Sequence, residues 1–431
     1  MAGFFARRTS WDLTANRYTE ALEAHRRAGK EELDLTASNP TIIGLQYREE
    51  ELLRALADPK SLRYEPQPKG LLAAREAVAA YYAERDTQLS SDDLILTTST
   101  SEAYSFVFRL LCDPGDALLV PTPSYPLFDF LADIQDVKLV PYELIYDYGW
   151  QIDFTSLRSA IGRTQSAGTR CRAVLVVHPN NPTGSYVKPR EAEELNRICA
   201  ERGLAIIADE VFLDYSLSSN IQNTGATGAK APVLRTGFDT AKAVLFQDPT
   251  CVPTFNFSTN QEVLTFTLSG LSKISCLPQM KVAWIAVSGP QTLKRDALAR
   301  LEVIADTYLS MNAPVQLAVP TMLEERHSIQ HQLMQRIRLN LQELDSQLAG
   351  QKLCHRLKIE GGWYAILRVP ATGSDEDLAI ALLQRTGVLA QPGHFYDCPA
   401  EGHLVLSLIT PLEIFGTGIE RILAFVASAG G

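Results

Sequence analysis

The stretch Ala173-Val-Leu-Val-Val-His178-Pro-Asn-Asn-Pro-Thr-Gly184, followed by 190–202 and then by Ala205-Ile-Ile-Ala-Asp209, decides the fold of this chain. Its outer parts are short apolar runs, and the segment between them carries apolar residues at helical spacing. Strand, helix and strand in that order indicate a largely parallel α/β sheet. Working outward, the same alternation continues on both sides. Strands are expected at 94–98, 117–121, 173–178, Ala205–Asp209, 264–268 and 282–287. Helices are expected at 71–85, 101–112, 190–202, 291–304 and 315–349, the last broken near Pro320. Segments 353–369, 375–385 and 412–427 read as a smaller α/β unit. The segment 216–259 is rich in Ser, Thr, Asn, Gly and Pro, and reads as a long excursion from the sheet with one buried piece at 243–246.

The bulk composition narrows the function classes. At 431 residues the chain is longer than a single core usually supports, so two domains are expected. A net charge of −10 argues against a nucleic-acid or anionic-membrane partner. The seven cysteines are scattered and form no C-x-x-C pair, which fits reduced thiols in a cytoplasmic protein better than a disulfide frame or a zinc site. No apolar run approaches the length of a membrane span, and the N-terminal apolar stretch is too short for a secretory signal.

Three polar residues fall where strands end. Asn181 follows the 173–178 strand, Asp209 closes its own, and Lys273 lies just past 264–268 in Thr267-Leu-Ser-Gly-Leu-Ser-Lys273. Ligands of open α/β sheets bind outside the carboxyl ends of the strands, so the three converge on one crevice. Alone, each has a plainer reading as a turn residue, a helix cap or a solvated lysine. Together they are what pyridoxal phosphate (PLP) demands of a protein: a lysine for the Schiff base, a carboxylate for the ring nitrogen, an amide for the phenolic oxygen. Strand 94–98 also runs into Ser99-Thr-Ser-Glu102, whose capping-box spacing opens a helix with free N–H groups for an anion. Hydroxyls at three successive positions favour phosphate over a plain cap.

These motifs resemble those of the class I/II PLP-dependent aminotransferases of fold type I, and the likeness covers nearly all of the chain. Besides HPNNPTG and SGLSK it rests on Leu35-Thr-Ala-Ser-Asn-Pro-Thr41, Tyr64 with Gly70, Pro114-Gly-Asp116, Pro121-Thr-Pro-Ser-Tyr125-Pro126 and Asp209-Glu-Val-Phe212. The resemblance implies a large domain over 46–315 with a seven-stranded-type, mostly parallel sheet between helices, and a small α/β domain from 1–45 plus 316–431. It implies Lys273 as the covalent lysine and proton carrier, Asp209 at the ring nitrogen, Asn181 at O3′, and Tyr125 against the ring face, where an ordinary core tyrosine is nearly as good a reading. Ser99, Thr100 and Ser101 would hold the phosphate, and Tyr64 would reach that of a neighbouring subunit in a homodimer with shared active sites. The partners it implies are a small-molecule amino donor and a keto-acid acceptor, in a ping-pong exchange.

Three departures stand out. Lys281 takes the place of an arginine on the phosphate, keeping the charge but not the planar fork. Phe212 replaces a tyrosine that donates to O3′, with Tyr215 as a candidate substitute. Val405, in Glu401-Gly-His-Leu-Val405-Leu-Ser407, stands where the family grips the substrate carboxylate with arginine. Arg235 and Lys242 are candidate replacements, and His394 and His403 are nearby polar groups with structural readings. The departures keep a carbon–sulfur lyase, a decarboxylase or a cyclising synthase on the same scaffold open. A PLP-sensing regulator fits less well, because the stretch before Leu35 has no room for a DNA-binding domain. A catalytically dead scaffold fits less well still, since Lys273, Asp209 and Asn181 are all present.

Overall fold

The computed structural model describes residues 4–217 and 255–429. Eight strands form the central sheet: β1 Leu94–Thr97, β2 Ala117–Thr122, β3 Lys138–Tyr146, β4 Trp150–Ile152, β5 Cys171–Val177, β6 Ala205–Asp209, β7 Thr265–Gly270 and β8 Ala283–Ser288. Their order across the sheet is β1-β8-β7-β6-β5-β2-β3-β4. The run from β7 to β3 is parallel. β8 is antiparallel to both neighbours, and β4 is a three-residue hairpin arm on β3.

The apolar runs at the centre of the sheet are buried on both faces, as a parallel sheet between helices requires. Along β5, Val174 and Val176 pack into one core while Ala173, Leu175 and Val177 pack into the other. β6 alternates the same way, Ile206 and Ala208 against Ala205 and Ile207. Helix Thr100–Leu111 covers the second face through Ala103, Tyr104 and Val107. Helix Pro189–Arg202 covers the first through Leu195 and Ile198.

A four-stranded antiparallel sheet lies in the C-terminal part: His355–Arg356, Tyr364–Arg368, His403–Ser407 and Gln391–Pro392, in that spatial order. The N-terminal segment joins this region through Leu33–Asp34, paired in parallel with Val388–Leu389.

Strand β3 and the stretch 315–349 depart from the sequence expectation. β3 was not anticipated, because Pro141 and a mixed polar pattern interrupt its run; the strand tolerates the proline because β4 pairs only with residues 144–146, leaving an open edge beside Pro141. The helical stretch 315–349 does not break at Pro320, which sits inside helix Ala313–Glu324. It divides at Glu325, and helix Arg326–Leu348 follows. The piece at 243–246, with Arg235 and Lys242, lies outside the described residues.

Candidate active site

The carboxyl ends of β5, β6 and β7 are in register, with Val177 opposite Asp209 and Asp209 opposite Leu268. Each strand then hands its chain to the same place. A cavity of about 320 Å³ opens there, and Lys273, Asp209, Asn181, Thr100 and Tyr125 all line it. Residues 320–400 complete the wall with Tyr364, Gln391 and Tyr396, and the N-terminal segment contributes Ser38.

Period-two geometry explains where Asp209 points. Residues 205 and 207 face the helix Thr100–Leu111, so residue 209 does as well. Its Oδ2 accepts a hydrogen bond from the Tyr104 hydroxyl at 2.7 Å, and its Oδ1 one from the Val211 N–H at 3.1 Å. Burial raises the carboxyl above its ordinary range, while Tyr104, Val211 N–H and Lys273 each pull it back. Tyr104 was not singled out in the sequence. The available signal was its position one helical turn after Thr100, on the face that meets the strand ends.

Lys273 belongs to the four-residue turn Leu271–Ile274 that follows β7 directly. Its Nζ lies 4.6 Å from the centre of the Trp363 ring and 5.4 Å from that of Phe212. Burial lowers the amine to about 8, opposed by Cys276 and Asp209. A larger share of the amine is therefore neutral and nucleophilic near neutral pH than in a solvated lysine. Trp363 is a second residue the sequence reading missed, although two glycines followed by two aromatics at Gly361-Gly-Trp-Tyr364 mark an unusual turn.

Asn181 is held by the loop around it. Asn180 Oδ1 accepts from Thr183 Oγ1 at 2.9 Å and Thr183 N at 3.3 Å, and Asn180 N donates to Ser185 O at 2.8 Å. Asn181 itself is 8% exposed, and its Oδ1 has no partner. Asn181 lines the cavity, which places a buried amide where a ligand's polar edge can meet it. The donor set therefore fits PLP: amide, carboxylate and amine share one wall, and the helix N-terminus at Thr100 opens beside them.

The remaining expected residues are placed less centrally. Ser99 caps the helix, its Oγ accepting from Glu102 N at 3.1 Å, while Glu102 Oε2 accepts from Thr98 N at 2.6 Å. Ser101 and Lys281 are exposed and outside the cavity lining. Tyr64 is 83% exposed and does not line the cavity of its own chain. Phe212 does line it, but Tyr215 does not replace the absent phenol, because its hydroxyl donates to the backbone oxygen of Lys273 at 2.5 Å. Val405 is buried opposite Ile366 and Gln391. His394 meets Phe395 edge to face, and His403 Nδ1 lies 2.8 Å from Ala400 O. Among the described lining residues, Lys273 is the sole cation.

The family model for aminotransferase class I and II matches residues 12–414. The chain belongs to that family. It is a PLP-dependent aminotransferase. It is 24% identical over 427 residues to a glutamate-pyruvate aminotransferase AlaA of Haemophilus influenzae, covering 96% of each. It is 26% identical over 410 residues to an alanine aminotransferase of Mycobacterium bovis, covering 92% of this chain and 86% of that one. Among solved structures, an alanine aminotransferase from Pyrococcus furiosus superposes with a TM-score of 0.79 at 21% identity, covering 98% and 100% of the two chains. That likeness supports the fold. No described helix of this aminotransferase is long and apolar enough to cross a membrane.

Proposed function

We propose that this aminotransferase moves an amino group from an amino acid or amine donor to a keto-acid acceptor in two alternating half-reactions. The observation that carries the reading is the shared cavity of Lys273, Asp209 and Asn181. The names of the relatives make alanine, glutamate and their keto acids the first compounds to assay.

In this reading PLP supplies an electron-accepting ring that makes the substrate Cα–H acidic. Lys273 Nζ holds the cofactor before substrate arrives and afterwards takes the Cα proton, a role suited to an amine whose burial lowers it to about 8. Asp209, fixed by Tyr104, keeps a proton on the ring nitrogen. Asn181 donates to the phenolic oxygen through its side-chain amide N–H group. Ser99, Thr100 and Ser101 hold the phosphate with the N–H groups of their helix, and Lys281 adds a positive charge. Tyr125 covers the ring face. Tyr364, Gln391 and Tyr396, on the wall contributed by the C-terminal part, meet the polar end of the substrate with hydroxyls and an amide. We assign the large domain to 46–315 and the small one to 1–45 with 316–431, in a cytoplasmic homodimer whose active sites are shared.

Borohydride reduction of the protein incubated with PLP, followed by peptide mapping, is expected to leave the cofactor mass on Lys273. Lys273→Ala is expected to lose that adduct together with at least about a thousandfold of the activity. Wild-type protein that carries no reducible cofactor on Lys273 after incubation with excess PLP would overturn the assignment.

A further inference from the structure

The turn that carries Lys273 is only four residues long; nearby backbone N–H groups reach Leu271 O and Lys273 O, and further donors to this stretch come from outside it. Those donors are side chains far away in sequence. Tyr215 Oη donates to Lys273 O at 2.5 Å, Gln330 Nε2 donates to Ile274 O at 2.8 Å, and Tyr47 Oη donates to Cys276 O at 2.9 Å. The second partner of Tyr215 Oη is Cys276 Sγ, within the same stretch, whereas the Gln330 amide nitrogen makes its second bond away from it, to Asp214 Oδ2 at 2.5 Å. Asp214 is 5% exposed, and its other oxygen accepts from Tyr81 Oη at 2.8 Å and pairs with Arg85 Nη2 at 2.6 Å. The Arg85 guanidinium lies 4.3 Å from the centre of the Tyr81 ring. Arg326, one turn before Gln330, pairs with Glu84, and His327 Nε2 lies 3.5 Å from the same carboxylate.

One neutral amide thus joins three bodies. Its two N–H groups reach a carboxylate locked by Arg85 and Tyr81 and the peptide oxygen adjoining Lys273. Its backbone belongs to helix Arg326–Leu348, which packs into the C-terminal core through Ile329, Leu333 and Ile337. A carboxylate at 330 would face two acceptors with no donor, and an apolar side chain would leave the Ile274 oxygen unmatched.

We propose that Gln330 is a positioning residue for Lys273, setting the aim of the amine by tying Ile274 O to Asp214 and to the helix Arg326–Leu348. The proposal rests on the reading of Lys273 as the cofactor lysine. Its effect reaches the reaction through the backbone of the turn and not through contact with substrate.

The test compares wild type with Gln330→Met, which keeps the length without donors, and with Gln330→Glu, which keeps the shape. Four quantities are measured: cofactor trapped on Lys273 by borohydride, kcat and KM per trapped cofactor, the pH midpoint of the bound cofactor's absorbance change, and thermal unfolding. Both variants are expected to retain the cofactor and to lose about ten- to a hundredfold in kcat, with KM for the donor changed less than about threefold. The absorbance midpoint is expected to shift as well. Wild-type kcat and midpoint in either variant overturn the proposal, as does a loss confined to thermal stability. Wild-type protein that traps no cofactor on Lys273 overturns the underlying reading; wild-type trapping with unchanged variants overturns this inference alone.

Discussion

Asp209 and Glu210 are neighbours with opposite environments, because successive strand residues face opposite sides of the sheet. Asp209 meets Tyr104 and the cavity. Glu210 is 1% exposed, accepts one hydrogen bond from Phe257 N at 2.6 Å, and leaves Oε2 unpartnered. Burial pushes its carboxyl up from 4.5 to about 8. The folded chain thus holds this proton more tightly than the unfolded chain does. The resulting stabilisation is complete below about pH 4.5 and is lost as pH rises toward about 8. Glu210→Gln is expected to flatten that dependence and to be the more stable form near pH 8, by up to about 3 kcal/mol. Thermal unfolding of both proteins between about pH 5 and about pH 8 reads it. Parallel curves for the two would show that the proton is not held there. Ser99 as a cap and Asp209 at a strand end were legible from spacing alone. Tyr104 was not, since its bond crosses 105 positions and depends on which helix face meets the sheet.

At the scale of elements, the loop after β5 is held by its glycine. Gly184 has φ +66, and a Cβ there would lie 2.5 Å from the backbone oxygen of Gly361 and 2.6 Å from Ile359 Cγ1. Its carbonyl accepts from Gly361 N at 2.9 Å and Glu360 N at 3.1 Å, which ties the Asn181 loop to the chain leading into Trp363. Gly184→Ala combines left-handed strain with a backbone clash, and is expected to cost about 2–4 kcal/mol and to weaken PLP binding at least about tenfold. Gly203 is the control: its φ is +65 with nothing within 4 Å, so Gly203→Ala is expected to cost about 1 kcal/mol and leave PLP affinity unchanged. Calorimetry and PLP titration separate the two. Equal effects at both glycines would sink the account of the loop. The strands β1, β2 and β5 to β8 were readable because central strands buried on both faces are apolar at nearly every position. β3 was hidden because a strand beside the sheet's edge admits proline and polar residues.

For the whole molecule, the exposed Tyr64 carries the expectation of shared sites. Mixing Tyr64→Ala chains with Lys273→Ala chains under conditions that exchange subunits is expected to recover about a quarter of wild-type activity, since half of the dimers then hold one intact site. Recovery no greater than the sum of the parents would place Tyr64 outside a neighbour's site. What the sequence determined by itself was the α/β order, the strand ends and the three residues aligned on them, because backbone period and capping are local properties that the chain writes out in order. Only the tertiary structure decided the partners: Tyr104 on Asp209, Trp363 against Lys273, Gln330 on the turn beside it, and Tyr215 turned to the backbone instead of the cavity. The hydrogen bonds among those contacts join residues 56 to 105 positions apart, and they are fixed by sheet register and helix packing, which no local pattern encodes.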